Sequence, residues 1–168
     1  GLNPHIIIQP NSYLIDENFI TKLKKDFNGI SLSRSFSGEG IIISNDNAKG
    51  VILKGINKKE KRIIDFLNKH LSAGNLKDFN KNRVFIGSEL AFNLNLKAGD
   101  NISLMSSAFV ATPLGSLPKQ ENFKIAGTFN TGFLEFDQNI VFLDIQDVLT
   151  IFDKEDKDKS IEIYLENP

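Results

Sequence analysis

The chain has 168 residues, of which 40% are hydrophobic and 24% are charged, and this is the composition of an ordinary globular domain. A chain of this length buries roughly 70% of the surface of its unfolded form, so its core needs no disulfide or metal for support. The absence of cysteine excludes disulfides, iron–sulfur clusters and thiol nucleophiles. With 20 Lys and Arg against 21 Asp and Glu, the net charge is -1, which gives nucleic acid no basic surface to bind.

The first residues predict a short strand and an amphipathic helix. The β-branched run 6–8 predicts a short buried strand, and residues 9–12 predict a turn after it. Asp16 is the predicted N-cap of a helix whose apolar residues recur at helical spacing up to Phe27, and Asn28 with Gly29 ends it.

The next segment predicts strands and a second helix. Apolar residues alternate with serine from Ile30, which predicts a half-buried strand that ends in a turn at residues 38–40. The apolar runs 41–43 and 51–53 flank a turn-rich sequence and predict a hairpin. An apolar stripe predicts a helix over residues 59–71.

The polar segment 75–83 has no periodicity, so it is the predicted boundary between two lobes. After it, a strand is predicted at 84–86, a short helix from Ser88, a tight turn at 96–101 and another strand at 102–105. The order of elements predicts the α+β class.

The last third contains an alternating segment at 123–129 and a continuous apolar run at 140–143. Strands are predicted at 123–129 and 140–143, and Asp144 is the predicted N-cap of a helix. The mixed-charge run 153–159 predicts a solvated loop, and the apolar alternation at 161–165 predicts a final strand.

Few side chains are candidates for catalysis or metal binding. The two histidines, His5 and His70, lie far apart in sequence and have no cysteine to complete a ligand set, so both are predicted to be structural. Glu135 and Asp137 are the one carboxylate pair flanked by aromatic residues, which can shift the pKa of a carboxyl group as general acid catalysis requires. The alternative is more common, since two acids on one strand face usually form a solvated edge. The sequence therefore predicts a protein without catalytic activity, metal or cofactor.

Residues 106–118, called the arm below, interrupt two predicted strands. Two prolines and a glycine predict that the arm does not continue a regular strand ladder. Its apolar residues, Phe109, Val110, Leu114 and Leu117, are not needed in a solvated loop. This combination suggests a projecting, mobile arm with an apolar tip. The residues alone favour the alternative, a long loop folded back over its own core, and it is the family resemblance described next that favours the arm.

Five stretches resemble the periplasmic domain of LolC/LolE-type permeases of lipoprotein-releasing ABC transporters. They are GVILKGI (50–56), VFIGSELA (84–91), LNLKAGDNISL (94–104), TPLG (112–115) and FKIAGTF (123–129). The L-x-x-G-D-x-I unit within the third stretch resembles the wider MacB-like periplasmic core family, and the Thr-Pro-Leu-Gly sequence narrows the resemblance to the LolC/LolE type. The resemblance leaves open whether the chain is LolC-like, LolE-like or of a fused type that pairs with itself.

The resemblance implies a two-lobed MacB-like periplasmic core. A porter-like lobe would comprise residues 1–78, and a Sabre-like lobe with a projecting hairpin arm would comprise residues 79–168. The strand 160–165 is a candidate to return to the first lobe, which the family's chain completes beyond residue 168. The implied setting is the periplasmic face of a bacterial inner-membrane protein.

The resemblance also implies partners. They are a LolA-like periplasmic chaperone, a lipoprotein substrate, a second permease subunit and a cytoplasmic ATPase subunit. The family's docking hook maps onto Phe109, Val110, Thr112, Pro113, Leu114, Gly115, Leu117 and Pro118, and a polar docking position maps onto Gln120. Ser103 and Glu121 stand where the family tends to have basic residues, so the resemblance does not extend to the electrostatic part of docking.

Two other functions compete with this one. A MacB-type efflux permease would use the domain to contact an adaptor protein, and it should lack the Thr-Pro-Leu-Gly hook. An unrelated small enzyme would use Glu135 and Asp137.

Overall fold

The computed structural model describes residues 2–10 and 15–166 and has the α+β fold that the sequence predicts. Within those residues the strands are β1 (Ile6–Ile8), β2 (Ile30–Ser44), β3 (Asn47–Ile56), β4 (Leu71–Gly74), β5 (Arg83–Gly87), β6 (Asn101–Thr112), β7 (Gly115–Phe129), β8 (Ile140–Asp144) and β9 (Ser160–Leu165). The helices are α1 (Glu17–Asp26), α2 (Lys61–His70), α3 (Ser88–Asn93), α4 (Leu134–Asn139) and α5 (Ile145–Ile151). Single 3-10 turns lie at Leu76–Asp78 and Asp156–Asp158.

The strands pair in the order β1-β9-β2-β3-β8-β5-β7-β4, and β6 pairs with both β2 and β7. The β3–β8 and β5–β7 pairs are parallel and the others are antiparallel. β2 joins the β1–β9 pair to the rest of the sheet, since it lies between β9 and β3. Its residues 30–35 pair with β9, and its residues 36–44 pair with β3.

The predicted turn at residues 38–40 is wrong, because β2 runs straight through it. The two glycines are there for close packing. A Cβ on Gly38 would lie 2.7 Å from the Phe152 ring, and one on Gly40 would lie 2.6 Å from the Leu53 side chain. The hairpin predicted from residues 41–43 and 51–53 is confirmed, with both strands longer than their apolar runs.

Alternating residues of β5 and β8 place two cores on opposite faces of the sheet. Val84 and Val141 belong to the core beneath α3 and α5, whereas Phe85 and Phe142 belong to the core beneath α2. A third, smaller cluster lies between α1 and the β1–β9–β2 pairs and contains Ile15, Ile20, Ile161 and Ile163.

The predicted boundary at residues 75–83 is wrong as a division between two cores. β3, which precedes it, pairs in parallel with β8, which follows it. The largest core cluster also combines Ile42 and Leu53 with Leu104 and Leu143. The last strand, β9, pairs with both β1 and β2, while its assignment to a porter-like lobe stays a prediction. Completion of a porter-like lobe by further residues stays a prediction.

Local signals at the helix termini are confirmed. The Asp16 carboxylate accepts a hydrogen bond from the Phe19 amide at 2.9 Å, and the Asp144 carboxylate accepts one from Gln146 at 2.9 Å. β1 is less buried than predicted, because it is an edge strand with Ile6 and Ile7 about half exposed. Asn11 and Ser12 of the predicted turn at 9–12 lie outside the described residues.

A buried polar cluster closes the junction between β3 and β9. The Lys54 ammonium lies 2.8 Å from the Glu162 carboxylate, which also accepts a hydrogen bond from the Tyr164 hydroxyl at 2.9 Å. The Arg62 guanidinium lies 3.5 Å from the centre of the Tyr164 ring. Burial, and then the nearby Glu162 carboxylate, raise the pKa of the Tyr164 hydroxyl, so it remains a hydrogen-bond donor.

The close contact between the end of β5 and α4 can be tested by substitution of a glycine. A Cβ on Gly87 would overlap the backbone of Asp137 in α4, whereas one on Gly50 in β3 would meet nothing within 4 Å. We expect Gly87→Ala to lower the free energy of unfolding by ~3 kcal/mol, since α4 must move. Gly50→Ala, the matched control, should change it by less than ~0.5 kcal/mol. Urea denaturation measures both values, and equal values for the two variants would contradict the packing described.

Candidate docking site at the end of a hairpin

The arm is the outer end of the β6–β7 hairpin. The two strands pair from Asn101 opposite Lys124 to Thr112 opposite Gly115, with a register shift between Met105 and Phe109. The predicted irregularity of the ladder is therefore seen at the base of the arm, between Met105 and Phe109, whereas the outer residues of the arm pair as a hairpin. Pro118 fits because, among the described residues, β7 has no neighbour there except β6, and an edge position tolerates a missing amide proton.

The turn at the tip is held by its own side chains. The Thr112 hydroxyl accepts a hydrogen bond from the Leu114 amide at 3.2 Å and donates one to the Gly115 carbonyl at 2.6 Å. Pro113 fixes its own φ angle, and Gly115 has a φ of +116°, which glycine adopts without strain. The sequence Thr-Pro-Leu-Gly therefore specifies a tight turn that presents Leu114.

The base of the arm is fastened to the end of α5. The buried Ser106 hydroxyl donates a hydrogen bond to the Ile151 carbonyl and accepts one from the Ala108 amide at 3.1 Å. The Lys119 ammonium donates to the Thr150 carbonyl at 2.6 Å. These bonds fix the direction in which the arm leaves the sheet, while the predicted mobility of its outer part stays a prediction.

The outer end of the arm exposes apolar side chains on both faces. Leu114 is 94% exposed and Phe109 is 63% exposed, and Leu117 and Val110 are about half exposed. Phe109 lies opposite Pro118, and Val110 lies opposite Leu117. These exposures do not fit a loop folded over its own core. Because residues 106–118 carry no charge, the surface offered to a partner is apolar.

The structure brings most of the predicted docking residues together, with Gln120 set apart. Thr112, Pro113, Leu114 and Gly115 form the turn, and the pairs behind it contain Phe109, Val110, Leu117 and Pro118. Gln120 is exposed but lies opposite Met105, behind the register shift. Near it, the Ser103 hydroxyl donates to the Asn122 side chain at 2.8 Å, and Glu121 lies opposite Leu104.

The predicted carboxylate pair is not a pair. Glu135 and Asp137 lie on α4 and not on a strand, and only Glu135 is exposed. The buried Asp137 carboxylate accepts hydrogen bonds from the Thr131 amide at 2.9 Å and the Thr131 hydroxyl at 2.7 Å, and also from the Gly132 amide. Asp137 therefore closes the loop before α4, and its oxygens are occupied.

The two histidines have structural partners. A ring nitrogen of His5 accepts a hydrogen bond from the Leu165 amide at 3.0 Å, and His70 lies 3.2 Å from the Asn130 carbonyl and packs on Phe66. Within residues 2–10 and 15–166 there is no group of three or more His, Asp or Glu that could hold a metal ion. No helix in the described part of the chain is long and apolar enough to cross a membrane.

Sequence reasoning missed an apolar cleft of about 1020 Å³ beside the base of the arm. Its walls are the outward faces of β2 and β3, the first residues of α4, and Met105 to Ser107. The available signal was the Phe133-Leu134 pair after Gly132, which is apolar but follows a loop sequence. Both side chains are largely exposed at the rim of the cleft.

In sequence, the chain is similar to proteins described as lipoprotein-releasing system transmembrane protein LolC. It is 22% identical to the Xylella fastidiosa protein over 112 residues and 22% identical to the Neisseria meningitidis serogroup B protein over 134 residues. The alignments cover 66% and 79% of this chain but 27% and 32% of those proteins. The chain thus spans about a third or less of the curated relatives it matches. No family model matches it.

In fold, the chain resembles two extracytoplasmic domains of known structure. It matches the periplasmic region of MacB from Actinobacillus actinomycetemcomitans with a TM-score of 0.59 and 13% identity, covering 96% of this chain and 73% of that one. It matches the extracellular domain of the noncanonical ABC-type transporter YknZ with a TM-score of 0.57 and 16% identity, covering 96% and 84%. The predicted resemblance to LolC and to the MacB-like fold is therefore confirmed.

The tip turn can be tested without disturbing the core. Thr112→Val removes both hydrogen bonds of the hydroxyl, so the Leu114 amide should lose its protection from hydrogen exchange. Because the site is exposed, the free energy of unfolding should change by less than ~0.5 kcal/mol. Thr112→Ser keeps the hydroxyl and should retain the protection. Unchanged protection in Thr112→Val, measured by NMR, would show that the turn is held by other contacts.

Proposed function

We propose that the chain is the extracytoplasmic domain of a LolC-type permease of a lipoprotein-releasing ABC transporter, and that its arm docks a LolA-like periplasmic chaperone. The observation that carries the proposal is the uncharged, apolar tip at residues 112–115, on a chain whose sequence is similar to LolC proteins. The domain would lie on the periplasmic side of a bacterial inner membrane.

The geometry of the arm supports a docking role. A turn that is already formed loses little conformational freedom when it binds, so more of the contact energy remains as affinity. Leu114 is the best anchor, because nearly all of its side chain is exposed and complete burial of a leucine contributes ~1.5–3 kcal/mol. Phe109 and Pro113 would support it, and Val110 and Leu117 would cover the opposite face.

The charge pattern predicts how docking depends on salt. The arm has no charged residue, and the nearest polar positions singled out by the resemblance are Ser103, Gln120 and Glu121. Docking through the arm therefore rests on apolar contact and hydrogen bonds, and its affinity should change little with ionic strength.

The remaining parts of the transporter follow from the same proposal. A lipoprotein would be the cargo, a second permease subunit would complete the membrane path, and a cytoplasmic ATPase subunit would supply energy. The domain itself would have no catalytic role and no cofactor.

A titration against the cognate LolA-like chaperone tests the proposal. Leu114→Ala should weaken binding by about thirtyfold, the equivalent of ~2 kcal/mol at a central anchor. Phe92→Ala is the matched control, since Phe92 is 82% exposed on α3 and is not part of the arm. It should bind like the unchanged chain, and all three proteins should share one melting temperature.

Two results of this titration would count against the proposal. Equal affinity of the Leu114→Ala and Phe92→Ala variants would remove the arm from the interface. An absence of any binding to the chaperone, together with binding to a periplasmic adaptor protein, would favour a MacB-type efflux permease. The fold similarity to the MacB periplasmic region makes this the second candidate function.

A further inference from the structure

One face of β2 and β3 carries more apolar surface than the helices cover. Ile42 and Leu53 point into the core and are fully buried, whereas Ile41 and Ile52 lie on the opposite face and are 38% and 40% exposed. Further along the same face, Phe142 is covered by α2 and is fully buried. The uncovered part is therefore a continuation of a core surface.

This uncovered surface is the floor of the apolar cleft beside the arm. Phe133 and Leu134, 74% and 60% exposed, form one wall at the start of α4, and Met105 contributes to the other at the base of the arm. The volume of about 1020 Å³ is at the upper end of the ~300–1,000 Å³ typical of ligand sites. The shape is an open groove with room for an extended apolar chain.

The charged side chains that line the cleft are both carboxylates. Glu39 and Glu135 are its only charged lining residues in the described part of the chain. Lys49 lies close by, but it donates a hydrogen bond to the Gln138 carbonyl at 2.6 Å and is not among the lining residues. Two carboxylates beside an apolar floor favour a ligand with a positive group and repel one with a negative group.

We propose that this cleft binds the alkyl chain of an amphiphile whose head group is cationic. The alkyl chain of the ligand would lie on Ile41, Ile52 and Met105, with Leu134 over it. The cationic head group would lie at the carboxylates of Glu39 and Glu135. Burial of the chain supplies the affinity, and the carboxylates select the head group. This inference is independent of the arm's proposed role, because no residue of the tip takes part.

The chain offers a single built-in reporter for this site. Met105 is the one methionine in the sequence and it lines the cleft, so a 13C-labelled methionine methyl gives one NMR signal from the site. Decyltrimethylammonium, decyl maltoside and decyl sulfate, each below its micelle-forming concentration, are the probes. We expect a saturable shift of the Met105 signal with the cationic probe. Affinity for the sulfate should be about tenfold lower, since each carboxylate contributes about two- to fivefold.

Two kinds of variant locate the alkyl chain and the head group of the ligand separately. Leu134→Ser should weaken binding of all three probes by about fivefold or more, because part of the apolar wall is lost. Glu39→Gln combined with Glu135→Gln should bring the cationic and anionic probes to similar affinity. Phe92→Ser removes an exposed aromatic residue outside the cleft and should change nothing. Thermal unfolding checks that each variant folds.

Three results would overturn the proposal. Equal affinity of the unchanged chain for the cationic and anionic probes would remove the head-group selection. A Met105 titration with the same affinity in Leu134→Ser as in the unchanged chain would show that the probes do not contact this wall of the cleft. A Met105 shift that depends on protein concentration without any probe, together with dimers in sedimentation that Leu134→Ser dissociates, would make a second copy of the chain the occupant.

Discussion

The structure depends on the continuity of β2. This 15-residue strand pairs with β9 along its first residues and with β3 and β6 along the rest, so it is shared by the small α1 cluster and the large core. Such a strand requires close contacts where it passes beneath Phe152 and Leu53, and Gly38 and Gly40 provide them. The ion pair between Lys54 and Glu162 then closes the junction from the other side.

The arm is an extension of strands that the core already holds in place. Ile102 and Leu104 of β6 and Phe123 and Ile125 of β7 are buried, while the same strands continue outward to an exposed end. The register shift after Met105 lies where the core ends and the arm begins. Residues 109–118 are largely exposed, so we expect substitutions there to change the free energy of unfolding little. Stability and binding can therefore be changed separately, which makes the site accessible to mutagenesis.

The sequence predicted local features well and long-range ones poorly. The caps at Asp16 and Asp144 depend on neighbouring residues, the strand at 123–129 is marked by alternation, and the strand at 140–143 is marked by a continuous apolar run. All of these signals lie within a few residues of one another in the sequence. The reason for Gly38 is the ring of Phe152, over a hundred positions away, and the sequence alone interprets such a glycine as a turn. The boundary at 75–83 failed for the same reason, since β3 and β8 meet only in the folded sheet.

The candidate docking site also combines local features that the sequence predicts with long-range features that it does not. The apolar residues and the Thr-Pro-Leu-Gly turn were visible as an unusual sequence, but the pairing of Phe109 with Pro118 was not, because an edge position is a property of the sheet. For the cleft, the sequence shows only the apolar Phe133-Leu134 pair of one wall. Its floor combines alternate residues of two strands, and its wall is a helix distant in sequence.

Photo-crosslinking in the full-length permease that the proposed function implies tests the docking role of the arm. With a benzophenone amino acid in place of Leu114 in one protein and of Phe92 in another, irradiation of intact cells followed by mass spectrometry identifies what touches each position. We expect an adduct of a LolA-like chaperone at position 114 and none at position 92. An adaptor protein at position 114, or the same adducts at both positions, would contradict this role.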